Sequence, residues 1–98
     1  MTPSAAFTVR TTSLYDRLSN KLQKSHCDFD AAERSMAAIL SQDPYNRTRQ
    51  HHIKKLEGIP EDEGQYRLSL GRWRFRYDIM GQVVLLAYCG LRREETYR

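Results

Sequence analysis

The sequence predicts an α+β domain in which a short N-terminal strand and a two-helix hairpin pack on an antiparallel β-sheet of about four strands. Three observations carry this. Tyr66–Leu70 and Trp73–Ile79 alternate apolar and polar residues around a glycine-bearing turn, the period of two that marks strands. Leu14, Leu18 and Leu22 recur at helical spacing. A third run, Gln82–Cys89, is apolar on both faces, as a strand inside a sheet would be.

In the first hairpin, Tyr66, Leu68, Leu70, Trp73, Phe75, Tyr77 and Ile79 form one face, while Arg67, Ser69, Arg74, Arg76 and Asp78 form the other. A two-residue turn at Gly71-Arg72 sets Leu70 against Trp73, Leu68 against Phe75 and Tyr66 against Tyr77. The same register sets Ser69 against Arg74 and Arg67 against Arg76. Like charges directly opposed cost roughly 0.2–1 kcal/mol. Either Asp78 or an acidic loop neutralises these arginines, or the face is offered to a polyanion.

Phe7–Arg10 is β-prone and reads as an edge-type strand. The first helix begins at Ser13, a suitable N-cap with Asp16 in the first turn, and ends near Ser25. A second begins at Asp28 or Asp30, where Asp30 and Glu33 have capping-box spacing, and buries Phe29, Ala32, Met36, Ile39 and Leu40. It must stop before Pro44. The short connection makes an antiparallel helix pair whose apolar side covers the sheet.

Residues 44–63 turn polar. Asn46, Arg47, Arg49, His51, His52, Lys54 and Lys55 make a cationic run with Ile53, Leu56 and Ile59 as anchors, and Glu61–Gly64 reads as an exposed turn. The adjacent histidines find no further ligand at metal spacing, so no metal site is expected. The third strand has two possible inward sets, Val83, Leu85 and Ala87 or Val84, Leu86 and Tyr88; whether Met80-Gly81 is a two- or three-residue turn decides between them. A polar tail follows, with Arg92, Arg93 and Tyr97.

At 98 residues the chain fits one domain, 1–98, able to bury about 60–70% of its unfolded surface without staples. The formal net charge is +4, and twelve of sixteen basic residues are arginine, whose planar fork matches phosphate. Cys27 and Cys89 lack any metal or redox spacing and read as free buried thiols. No apolar run suits a signal peptide or a membrane span, so a cytoplasmic protein is expected.

IKKLEG, then GQYRLSLGRWRFRYDI, then an apolar strand running into GLRREETYR, resembles the RelE/ParE superfamily of bacterial type II toxins, over the whole chain. The resemblance implies a small basic toxin held inactive by a cognate antitoxin protein. It further implies either an mRNA interferase acting in the ribosomal A site (the RelE branch) or an inhibitor of DNA gyrase (the ParE branch). By position, Arg74 and Arg92 match the family's arginines, Tyr97 its near-terminal tyrosine, Arg67 a basic residue of the first meander strand, and Lys54 and Lys55 the basic residues before it. Ser69 stands where a second lysine would be, and Tyr97 is one residue closer to Arg92 than in the best-known branch.

Metal-independent RNA cleavage by 2′-hydroxyl attack needs a base, charge stabilisation and an acid. Arg67, Arg74 and Arg92 suit the charge; Tyr97 suits base stacking or orienting the leaving oxygen. Lys54, His51 and His52 are alternatives for the base. Lys55, His51, His52, Arg76 and Arg93 extend the RNA-contacting set. No cofactor is called for, since attack by the RNA's own 2′-hydroxyl needs no metal, and the absence of an obvious His and carboxylate pair fits an enzyme whose substrate the ribosome holds in line. The expected activity is a ribosome-dependent endoribonuclease; the alternatives are gyrase inhibition and RNA binding without catalysis.

Overall fold

The computed structural model describes residues 6–92 of the chain. The elements are β1 (Thr8–Thr11), α1 (Ser13–Ser25), α2 (Phe29–Gln42), β2 (Ile53–Lys55), β3 (Tyr66–Leu70), β4 (Trp73–Met80) and β5 (Val83–Leu91). They form an α+β structure in which both helices cover one face of a five-stranded sheet ordered β1-β5-β4-β3-β2. Two features differ from the sequence expectation of about four antiparallel strands. Ile53–Lys55, expected as loop, pairs with β3, and β1 runs parallel to β5. A three-residue strand with two lysines carries no periodicity to read, and pairing Thr8 with Val83 across the chain leaves no local trace.

The β3–β4 register follows from its turn. Gly71 has φ +59°, which a tight hairpin requires, and Leu70 pairs with Trp73, Leu68 with Phe75 and Arg67 with Arg76. The turn between β4 and β5 is Gly81-Gln82, with Gly81 at φ +61° and Met80 paired to Val83. Neither of the two sets anticipated in the third strand runs inward throughout. Arg76 pairs with Tyr88 but Tyr77 pairs with Leu86, so Ala87 is the extra residue of a β-bulge. Val84 and Leu86 are buried before it and Cys89 and Leu91 after it, while Tyr88 turns to the other face.

Thr12, not Ser13, caps α1: its Oγ1 accepts from the Tyr15 amide at 3.1 Å and donates to the Leu86 carbonyl at 3.0 Å. The buried face of α1 is also rotated from the leucine stripe. Leu14 is 45% exposed, whereas Tyr15, Ser19 and Leu22 are buried. The reason is polar. Tyr15 Oη and Ser19 Oγ both donate to Glu33 Oε2 at 2.7 Å, and Gln23 Nε2 donates to Oε1 at 2.8 Å, joining the helices through one carboxylate. Burial, then the Glu33 bond, pushes the Tyr15 phenol far above its ordinary range.

On α2, Phe29, Met36 and Leu40 enter the core, with Phe29 edge-on to Trp73 at 5.0 Å and stacked on Phe75 at 6.0 Å. The helix ends at Gln42, ahead of Pro44, whose carbonyl accepts from the buried Tyr77 hydroxyl at 2.6 Å. Cys89 is buried as anticipated; Cys27, in the connection between the helices, is exposed. Among the described residues no helix is long and apolar enough to cross a membrane.

Candidate nucleic-acid interface

Strand alternation puts Leu68, Phe75 and Cys89 under the helices and their chain neighbours on the outer face. Register then builds that face in rows. One row crosses four strands as Lys54, Arg67, Arg76 and Tyr88. The next holds Ser69, Arg74 and Gly90, and the Ser69 amide donates to the His52 carbonyl at 2.9 Å, adding His52 at its edge. Arg92 follows at the end of β5, its amide donating to the Arg72 carbonyl at 2.7 Å. Neighbouring strands lie about 4.8 Å apart, so the cations of one row are within reach of a single strand of nucleic acid.

The rows are not equivalent. Arg76, expected among the RNA contacts, is 9% exposed, and its guanidinium donates to the Gly64 carbonyl from Nε at 3.2 Å and to the Glu63 carbonyl from Nη2 at 2.8 Å. Asp78 completes this clasp: its two carboxylate oxygens accept from the Gly64 and Gln65 amides, each at 3.0 Å. Arginine thus takes the loop's carbonyls and aspartate its amides. Asp78 is thus directed at the same loop backbone that Arg76 holds. Gly64, expected in an exposed turn, is buried with φ +85°, and a Cβ there would lie 2.7 Å from Arg76 Cβ.

Arg74 and Arg67 are half-buried, and Lys54, His52 and Arg92 are exposed. Arg74 Nη1 donates to the Gly71 carbonyl at 2.7 Å and the Trp73 carbonyl at 3.0 Å, which fixes its direction along the turn. Two candidates belong elsewhere. Lys55 lies over the Tyr66 ring at 5.7 Å on the helix-covered side, because it is one residue out of phase with Lys54. His51 lines a separate cleft of about 850 Å³ near Phe7 and the Gly81-Gln82 turn, with Nε2 3.9 Å from Asp43 Oδ2. Burial would raise the Asp43 carboxyl, but bonds from the Thr48 hydroxyl and from the Arg47 and Thr48 amides hold it below its ordinary value. Arg93 and Tyr97 lie outside the described residues.

One residue of this face had no functional role in the sequence reading, where it stood only in one of the two possible inward sets. Tyr88 stands opposite Arg76, and its phenol leans over Gly90, where a Cβ would collide with the Tyr88 hydroxyl. Its phase is set by the bulge at Ala87, and the hint in the sequence is a lone tyrosine two residues before a glycine in an otherwise apolar strand. Among the described residues, no group of three or more histidines, cysteines and carboxylates could hold a metal ion. Compared against protein-family models, curated proteins and solved structures, the chain matches none.

Proposed function

We propose that this chain is the RelE-like toxin of a type II toxin–antitoxin pair, a cytoplasmic, ribosome-dependent endoribonuclease that receives messenger RNA on the outer sheet face. The observation that supports this best is the clustering of Lys54, Arg67 and Arg74 on adjacent strands of one face, with Tyr88 among them and with His52 and Arg92 next to the ends of β2 and β5. A cationic surface with an aromatic ring beside it suits single-stranded RNA, whose phosphates take guanidinium forks and whose bases stack.

In the reaction, the 2′-oxygen bonds to the adjacent phosphorus, its proton passes to a base, and the bond from phosphorus to the 5′-oxygen breaks. The products are a 2′,3′-cyclic phosphate and a 5′-hydroxyl that has gained a proton. Arg67, Arg74 and Arg92 stabilise the phosphorane oxygens. Of the three base candidates, His52 and Lys54 share the outer face; His51 belongs to the Asp43 cleft. Tyr88 offers a base-stacking ring. The ribosome holds the message in line, a contribution worth several kcal/mol.

The test is a cell-free translation reaction with mapping of RNA ends. Messages cut inside codons, leaving cyclic-phosphate ends, are expected, with Arg74→Ala and Arg67→Ala each lowering the rate by about 100-fold or more. Intact messages with unaffected translation would refute the proposal. Uncut messages with inhibited gyrase supercoiling would assign the ParE-like activity instead. Co-purification with the acidic product of an adjoining reading frame would identify the antitoxin.

A further inference from the structure

The β3–β4 turn is a hub for the cationic face. Its three successive residues present carbonyls to two of the proposed phosphate-binding arginines: Gly71 and Trp73 to the Arg74 guanidinium, and Arg72 to the Arg92 amide. The turn is also held from the helix side, by Asp28. Asp28 Oδ1 accepts from Arg72 Nη2 at 2.7 Å, and Oδ2 accepts from Arg72 Nε at 3.2 Å and from Trp73 Nε1 at 3.1 Å. The Arg72 guanidinium also lies over the Trp73 ring at 4.9 Å, so side chains of both residues are locked as a unit.

Asp28 occupies the N-cap of α2, where an aspartate ordinarily accepts an amide of its own helix, yet it makes no such bond. Its backbone is in the right-handed helical region, φ −88° and ψ −5°, and its carboxylate serves the turn. A residue selected only to start the helix would cap it. The fork to Arg72 is bidentate, which fixes orientation as well as distance.

The geometry points to Asp28 as a positioning residue: through the Arg72–Trp73 unit it sets the turn that holds the Arg74 guanidinium and the Arg92 backbone in place. Its functional side rests on the reading of that face as an RNA-cleaving surface. Asp28 touches no substrate. Removing its side chain takes no cap bond from α2, so the hydrogen bonds lost are those to the turn.

Two variants test this, Asp28→Ser and, from the other side of the same pair at an exposed turn position, Arg72→Ala. The first measurement needs no activity: amide hydrogen exchange of Arg92 and the Nε–H resonance of Arg74 by NMR. Both variants are expected to speed exchange at Arg92 by about tenfold, leave the amides of Val84 and Leu86 unchanged and broaden or shift the Arg74 signal. The second is message cleavage in the translation reaction, where the rate at saturating message is expected to fall about tenfold while half-saturation moves less than about twofold. Unchanged Arg92 exchange overturns the inference, and so does faster exchange with unaltered cleavage. If the wild-type chain cuts no message, the nuclease proposal falls, and the exchange data alone decide whether Asp28 sets the turn.

Discussion

Replacing Arg76 by methionine separates a structural arginine from a nucleic-acid contact. Methionine retains the apolar stem but loses the donors to the Gly64 and Glu63 carbonyls, at 3.2 and 2.8 Å. Hydrogen bonds to a charged group contribute more than neutral ones, and a buried carbonyl left without its donor costs more than the bond contributed. Together these give a loss of about 2–4 kcal/mol. At this chain length each kcal/mol moves Tm by several degrees, so the midpoint should fall by about 10–25 °C. Thermal melts followed by circular dichroism measure that. Fluorescence anisotropy with a labelled single-stranded RNA, read at a temperature where the variant is still folded, measures binding, which should change by less than about twofold. On the proposed RNA-binding role of the outer face, Arg74→Met should do the opposite, with a small Tm change and a large binding loss. An Arg76→Met protein that melts with the wild type and binds RNA tenfold more weakly would refute the clasp assignment and return Arg76 to the RNA contacts.

Gly64→Ala combines a positive φ with a Cβ 2.7 Å from Arg76 Cβ, so it should cost about 1–3 kcal/mol, seen as a lower urea midpoint at unchanged m. Burial, then the Glu33 charge, pushes the Cys89 thiol up to about 12, whereas Cys27 is exposed; iodoacetamide should label one thiol on the folded chain and two after denaturation, by mass spectrometry. The bond from Arg72 holds the Asp28 carboxyl down to about 2 from an ordinary 3.8, so its contribution to stability is complete above about pH 4 and is lost as pH falls toward 2. A carbon-13 titration of the Asp28 carboxyl should show that low midpoint, and a midpoint at the ordinary value would mean that the fork to Arg72 is not formed in solution.

What the sequence made legible was the geometry governed by short-range rules. Gly71 fixes the turn, the turn fixes the register, and the register opposes Arg67 to Arg76, each step following from a period of two. The helix boundaries were legible for the same reason, with Pro44 limiting α2. Long-range choices were hidden. Nothing near Leu14 says that Glu33, on the next helix, will draw Tyr15 and Ser19 inward and leave the leucine half-exposed. Nothing near Arg76 says that residues 63–65 fold back over it, because the composition of Glu61–Gly64 is that of a solvated turn, and it is their backbone rather than their side chains that the sheet grips. Within the cationic run, alternation separates Lys54 from Lys55 once β2 is known, but three residues are too few to reveal the strand.

The bulge joins these two levels. Without Ala87 the ladder would run regularly, Leu86 inward, Tyr88 outward against Arg76 and Cys89 inward against Phe75, so the extra residue is not needed to keep the core in phase. What a bulge does add is a local bend and a stronger twist. It falls between Arg76 and Tyr77, so that one part of the outer face, Asp78 with its grip on the Gly64 and Gln65 amides, lies on one side of it and a second part, Arg76 with Arg67 and Arg74, on the other. Bending the sheet there turns the second part relative to the first, and Gly90 leaves room for the Tyr88 phenol to follow. A chain lacking Ala87 should therefore fold with a Tm within several degrees of the wild type, since only one small side chain leaves the core, and, on the proposed nuclease function, cleave messages at least about tenfold more slowly because the arginines are re-aimed. A folded deletion variant with full cleavage would show that the curvature of β5 serves packing alone and that the outer face works as a flat array of charges.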